Sequence, residues 1–155
     1  MPTLGTRIRR NLLALSRRVR EYRMSPVERA IAELQRLLGR NLPSRGLFKD
    51  FYVELTMVVR RYIERSHGIR APEQTTQEFL AAAAKEPSFS PEVLAQLRTF
   101  LESADLVKFA GQEATTSMTD DATAKARVYI EKDASASDPK RRESHRVESS
   151  RNNKP

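Results

Sequence analysis

The sequence predicts an all-α protein, a small bundle of about five helices, and three observations carry that prediction. Apolar residues recur at three- and four-residue spacing from Val27 onward. Successive segments open on helix-capping signatures. No stretch alternates apolar and polar residues with period 2 over the length of a strand. At 155 residues the chain has room for one domain with a modest core plus tails.

Residues 1–23 form the first element, ahead of that core. Wound at about 100° per residue, "RIRRNLLALSRRVREYR" gathers Ile8, Leu12, Leu15, Val19 and Tyr22 on one face. Arg7, Arg9, Arg10, Arg17, Arg18, Arg20 and Arg23 all fall away from that stripe, so the segment reads as a basic amphipathic helix. An arm that only grips phosphate needs positive charge and no apolar stripe. The stripe therefore argues that one face is covered by an anionic membrane surface, by the bundle itself, or in a targeting presequence. The seven arginines, with Leu12, Leu15 and Val19, are the candidate contacts for a membrane surface or another anionic partner.

The next helix begins at Ser25-Pro26-Val27-Glu28, which combines a capping serine, a proline in the first turn and a glutamate three residues after the cap. Val27, Ala30, Ile31, Leu34, Leu37 and Leu38 form its apolar stripe, and Gly39 is its expected end. After "GRNLPSRG", the segment "LFKDFYVELTMVVRRYIERSHG" places Phe48, Phe51, Tyr52, Leu55, Val58, Val59 and Tyr62 on one side. Four of the chain's ten aromatics gather there, which makes this helix the expected centre of the bundle, closed at Gly68. A third helix opens at Thr75 with Glu78 three residues on, and Pro87 bars its continuation. A fourth opens at Ser90-Pro91, with Phe89 poised to pack on Leu94 as a hydrophobic staple. Its stripe is Leu94, Leu97, Leu101 and Ala104, flanked by Val93 and Phe100, and its end is expected to pack back through Leu106 and Phe109. The last helix, near Thr119 to Lys132, is expected to bury Ala122, Ala126, Tyr129 and Ile130. From Asp133 the chain turns polar, so residues 133–155 read as a disordered tail whose removal should leave stability almost unchanged.

Charge follows the same division into 1–23, 24–132 and 133–155. The first part holds seven basic residues and one acidic, the second fifteen of each, and the third six basic and four acidic. The net +8 therefore lies outside the expected bundle. A domain that binds nucleic acid through its folded face should carry the excess there, because affinity scales with the phosphates neutralised. A nucleic-acid binder using the arginine-rich helix and basic tail is the rival reading.

The residues also resemble a known family. "LLGRNLPSRGLFKDFYVELTMVVRRYIERSHGIRAPEQTTQEFL", followed by "FSPEVLAQLRTFLESADLVKFAG", is similar to the cytosolic C-terminal domain of Bat-type (BatD-like) aerotolerance membrane proteins. The similarity spans about residues 25–110 and rests on "FYVELT", "RRYIE", "APEQTTQEFL" and "ADLVKFA". It implies a bacterial protein of operons that encode MoxR-type AAA ATPases and von Willebrand factor A-type proteins, with one of those as partner. The spanning helix and outer part of the family's fuller members have no counterpart in these residues. The resemblance implies no catalytic residues.

The chemistry-bearing residues are sparse. There is no cysteine, which excludes disulfides, thiolate metal sites and cysteine nucleophiles. The longest apolar run near the N-terminus, Leu12 to Leu15, is far shorter than the roughly 18 residues of a spanning helix. Only His67 and His145 could serve as histidine bases or ligands. Glu64 and His67 make one Glu-x-x-His, the unit that di-iron bundles use twice, and a second copy is missing. His67 therefore reads as a surface helix end beside Gly68, its charge suiting the helix dipole. Ser66 cannot pair with it, since helix neighbours point about 100° apart. "AAAA" at residues 81–84 reads as helix-favouring filler against a neighbour, and "DPKRRESHR" as a solvated charge run. Neither an enzyme nor a cofactor or metal is expected. The expected function is a cytosolic protein-interaction module, peripheral at the inner membrane, and the sequence names neither its partner nor its stoichiometry.

Overall fold

The structure, a computed structural model, describes residues 24–137. The expected amphipathic helix of residues 1–23 lies outside the described residues, as does the tail from residue 138. Among the described residues five α-helices make up the bundle: α1 Pro26–Gly39, α2 Phe48–His67, α3 Thr76–Ala83, α4 Pro91–Phe109 and α5 Thr116–Ser137. Two short 3-10 turns, Pro43–Arg45 and Ala71–Glu73, complete it, and there is no strand among the described residues.

Local chemistry fixes the helix starts. The Ser25, Thr75 and Ser90 hydroxyls each accept from the backbone N–H three residues on, at 3.2 Å, satisfying donors that a helix start leaves orphaned. Pro26 and Pro91 occupy the first turns of α1 and α4, where a missing N–H removes nothing. Gly68 closes α2 at φ 71°, donating its N–H to Glu64 O at 2.9 Å. α1 ends at Gly39 as expected, and two residues beyond it Asn41, at φ 51°, takes the left-handed turn, which asparagine tolerates better than most side chains.

The core forms around α2, which packs on α1, α4, α5 and the turn Ala71–Glu73. Phe51, Tyr52, Leu55, Val58, Val59, Tyr62 and Ile63 are all buried along it. α1 runs antiparallel to α2 through the short connection, so Glu33 reaches Arg65 at 3.0 Å and Arg61 at 3.5 Å. α4 also runs antiparallel to α2, bringing Lys108 to Thr56 and Phe89 to His67. α5 runs parallel to α2, with Tyr62 edge-on to Tyr129 at 6.1 Å and His67 bonded to Asp133. α3 packs on α4 and buries Ala83, while Ala81 and Ala84 face solvent.

Several sequence expectations need correction. Leu38, Leu106 and Phe109 are exposed to 38%, 49% and 78%. On the last turn of α4 the buried apolar residue is Val107 instead, because the helix continues straight and turns Leu106 and Phe109 outward. The last helix is longer than expected at both ends and runs through Ser137, so Asp133 belongs to the bundle and not to a tail. Phe89 is buried against His67, a contact the staple with Leu94 did not anticipate.

Arg60 is the least expected core residue, 6% exposed in the middle of α2. Its guanidinium donates to Ala71 O at 3.0 Å, to Gln74 O and to Thr76 Oγ1 at 3.0 Å. It thereby satisfies carbonyls of the turn between α2 and α3. Burial lowers its pKa from the ordinary value, opposed by the negative charge of Asp105. Arg60→Lys keeps the charge but loses the fork that bridges three acceptors. It should lower stability by about 1–2 kcal/mol, measured by urea unfolding.

Candidate functional site

The residues with the most chemistry meet where α2, α5 and the loop before α4 come together. His67 is the last residue of α2, and Asp133 stands one turn after Tyr129 on α5. Because α2 and α5 are parallel, these positions coincide in space. His67 Nε2 lies 2.9 Å from Asp133 Oδ2 and 3.1 Å from Oδ1, while the Tyr62 hydroxyl donates to Oδ2 at 2.6 Å. On its other edge, His67 Nδ1 is 3.1 Å from Ser88 Oγ. The Phe89 ring lies over the imidazole, centroids 4.4 Å apart and planes tilted by 38°. The His67 and Asp133 side chains are only 7% and 9% exposed.

The electrostatics follow from burial. The Tyr62 phenol is held well above its ordinary pKa by desolvation, with the Asp133 carboxylate adding to the effect. Tyr129 is raised the same way, by burial first and then by Asp133 and Tyr62. Both phenols are therefore neutral donors at physiological pH. Tyr62 spends its proton on Asp133, whereas the Tyr129 hydroxyl is buried without a hydrogen-bond partner among the described residues.

Ser88, His67 and Asp133 occur in the order of a nucleophile, base and orienting carboxylate. Order alone does not make an acyl-transfer site, which also needs a substrate cleft and donors for an oxyanion. A cleft between α4 and α5 is lined by none of the three. These contacts form a clasp that fastens the end of α5 and the loop at Ser88 to the end of α2. No three His, Cys, Asp or Glu side chains among the described residues cluster so as to hold a metal ion.

The reading of His67 as a surface helix end is thus corrected: helix α5 and Phe89 cover it. Glu64 is exposed, and the Glu-x-x-His spacing brings no shared site. The sequence does not link Asp133 to His67 or Tyr62, because no local pattern connects positions 66 and 71 residues apart. The one available signal was an acidic residue one turn beyond an apolar stripe that contains Tyr129.

Two surface features remain. Leu106 and Phe109, three residues apart, share an exposed face on the last turn of α4. Beside Phe109, the Lys108 ammonium sits 5.3 Å from the ring centroid and 3.3 Å from Asp105. The second feature is the cleft, about 350 Å³ in volume. Arg7, Arg9, Arg10, Arg17, Arg18, Arg20 and Arg23, with Leu12, Leu15 and Val19, lie outside the described residues. No described helix is long and apolar enough to cross a membrane. Comparison of the chain with protein-family models finds no match, and comparisons with curated proteins and solved structures find none either.

Proposed function

We propose that the chain is a non-enzymatic protein-interaction module, of the kind found in the cytosolic domain of Bat-type membrane proteins. Its partner is a MoxR-type AAA ATPase or a von Willebrand factor A-type protein. The observation that carries this reading is the exposed end of α4. Scattered exposed apolar residues are ordinary on any protein, but Leu106 and Phe109 stand together at 49% and 78% exposure. Aromatic anchors of this kind dominate protein–protein binding when they fill a partner's pocket. The partner class follows from the resemblance at "ADLVKFA", which contains both residues. Residues 24–132 carry equal numbers of acidic and basic side chains, which favours a protein partner over nucleic acid.

The test uses the full chain and a purified MoxR-type ATPase or A-domain protein from the same bacterium. Leu106→Ser with Phe109→Ser should weaken binding by about tenfold or more. Stability should change little, because both side chains face water. Absence of binding to either protein, or undiminished binding by the double variant, contradicts the proposal.

In the same reading the segment from Arg7 to Arg23 touches an anionic membrane surface. A peptide of that segment should gain helicity on vesicles containing anionic lipid and much less on neutral ones. Replacing Leu12, Leu15 and Val19 with Ser should weaken vesicle binding even though every arginine remains. A nucleic-acid arm would ignore that change and respond only to Arg→Gln substitutions.

A further inference from the structure

We propose that residues 7–23 fold back along a side of α2 that the described helices leave open and lay Ile8 and Leu12 on Leu106 and Phe109. The chain thereby masks that surface until an anionic membrane draws the segment away. The masking, though not the docking, rests on the role proposed above for Leu106 and Phe109. α2 is packed by α1, α4 and α5. On a wheel of about 100° per residue, Arg61 and Arg65 face α1 through Glu33, and Thr56 faces α4 through Lys108. Between those two directions lie Lys49, Val53, Met57 and Glu64, all at least partly open to solvent. Phe109 stands about 180° around α4 from Phe100, which lines the α5 side, so it turns toward this strip. Val53, Leu106 and Phe109, at 39%, 49% and 78% exposure, are the apolar residues that the described chain leaves uncovered there.

Length and charge identify the occupant. Glu33 is level with Arg61 and Arg65, and Lys108 is level with Thr56, so the start of α1 stands about 22 Å along the bundle from Phe109 at 1.5 Å per residue. A helix returning from Met24 covers that distance in about 15 residues, which brings it to Ile8 and Leu12. Its short connection to α1 gives the stripe a roughly millimolar effective concentration at α2, so a weak contact suffices. Residues 48–57 and 99–113, which surround the apolar patch, hold Asp50, Glu54, Glu102, Asp105 and Glu113 against only Lys49 and Lys108. Lys108 is itself held by Asp105, with 9% of its side chain exposed. Farther along the strip, Glu33 takes Arg61 and Arg65, and Glu64 is exposed. An apolar patch rimmed by carboxylates matches an apolar stripe flanked by seven arginines.

The same stripe and the same arginines are what an anionic bilayer would bind. One segment cannot bury its stripe in both places, so membrane and bundle compete for it.

The experiment uses the full chain, which has no cysteine of its own, with a nitroxide on Asn11→Cys. Amide resonances of Val53, Leu106 and Phe109 should lose most of their intensity relative to the reduced label, while that of Asp133, at the other end of the bundle, keeps far more. Ile8→Ser with Leu12→Ser should restore the intensities, as should vesicles containing anionic lipid, whereas neutral vesicles should not. Full intensity at Leu106 and Phe109 in the labelled chain overturns the proposal, and so does broadening that survives the Ser substitutions or anionic vesicles. If the broadening arises instead between a labelled chain and a separate isotope-enriched one, the occupant is a second copy and the assignment fails. Deleting residues 1–23 should tighten binding of the MoxR-type ATPase or A-domain protein by about tenfold, the factor expected when roughly nine chains in ten are masked. Unchanged affinity overturns the masking. Failure of both forms to bind counts against the interaction module alone, because the broadening still decides the docking.

Discussion

Leu55→Ala should lower the unfolding free energy by about 2–5 kcal/mol. Leu55 is completely buried on the helix that every large neighbour packs against, with α1, α4 and α5 around it. Truncation removes about three methylene equivalents from contact and leaves a cavity that three helices cannot all collapse to fill. Tyr52→Ala should act similarly, since that ring is 4% exposed and meets Phe51 edge-on at 5.8 Å. Val53 gives the matching control. Two positions before Leu55 on the same helix, it is 39% exposed, and Val53→Ala should change stability by no more than about 0.5 kcal/mol. Urea unfolding with an unchanged slope measures both effects. A small loss at Leu55 would mean that α2 is not the centre of the bundle.

Asp133→Ala should cost about 2–4 kcal/mol, because it leaves two buried donors, the Tyr62 hydroxyl and His67 Nε2, without their acceptor. Replacing both sides of the contact is milder than breaking one side. His67→Phe with Asp133→Leu and Tyr62→Phe should recover part of the loss, since no buried donor is then left over. Removing residues 133–155 should destabilise by an amount comparable to Asp133→Ala. That reverses what composition suggests for a polar tail, and differential scanning calorimetry distinguishes the two. Unchanged melting after the truncation would show that the clasp contributes nothing.

What was legible in the sequence was whatever depends on neighbours along the chain. The three capped starts, the proline positions, the stripe of α2 and the left-handed Gly68 are local, and each stands where periodicity and capping chemistry place it. What was illegible depends on partners far away in the chain. Arg60 reads as one more charge on a solvated face until the turn at Ala71 and the start of α3 fold over it. Asp133 reads as the start of a polar tail until His67 and Tyr62 reach it. Leu106 and Phe109 erred in the other direction: apolarity alone suggested burial, but the phase of α4 is set by Leu97, Leu101, Ala104 and Val107, and that phase turns both outward. The cleft between α4 and α5 was equally hidden, because it arises from the mismatch of two faces that sequence analysis treats separately.

The contrast also bears on where the proposed contact surface lies. The clasp at His67 is the cluster that looks most catalytic, yet its side chains are buried among themselves and consumed by one another. The end of α4 holds no unusual chemistry, yet it leaves Phe109 in water at 78% exposure. Exposure maintained against the hydrophobic effect is the better indicator of a contact surface.

The measurement that bears most directly on the proposed interaction module is amide NMR of the full chain titrated with a MoxR-type ATPase or an A-domain protein. Resonances of Leu106 to Phe109 should broaden or shift first, while those around Leu34, fully buried on α1, stay unmoved. Perturbation confined to residues 7–23, or none at all in the presence of both protein classes alongside shifts on adding duplex DNA at physiological salt, would contradict the account.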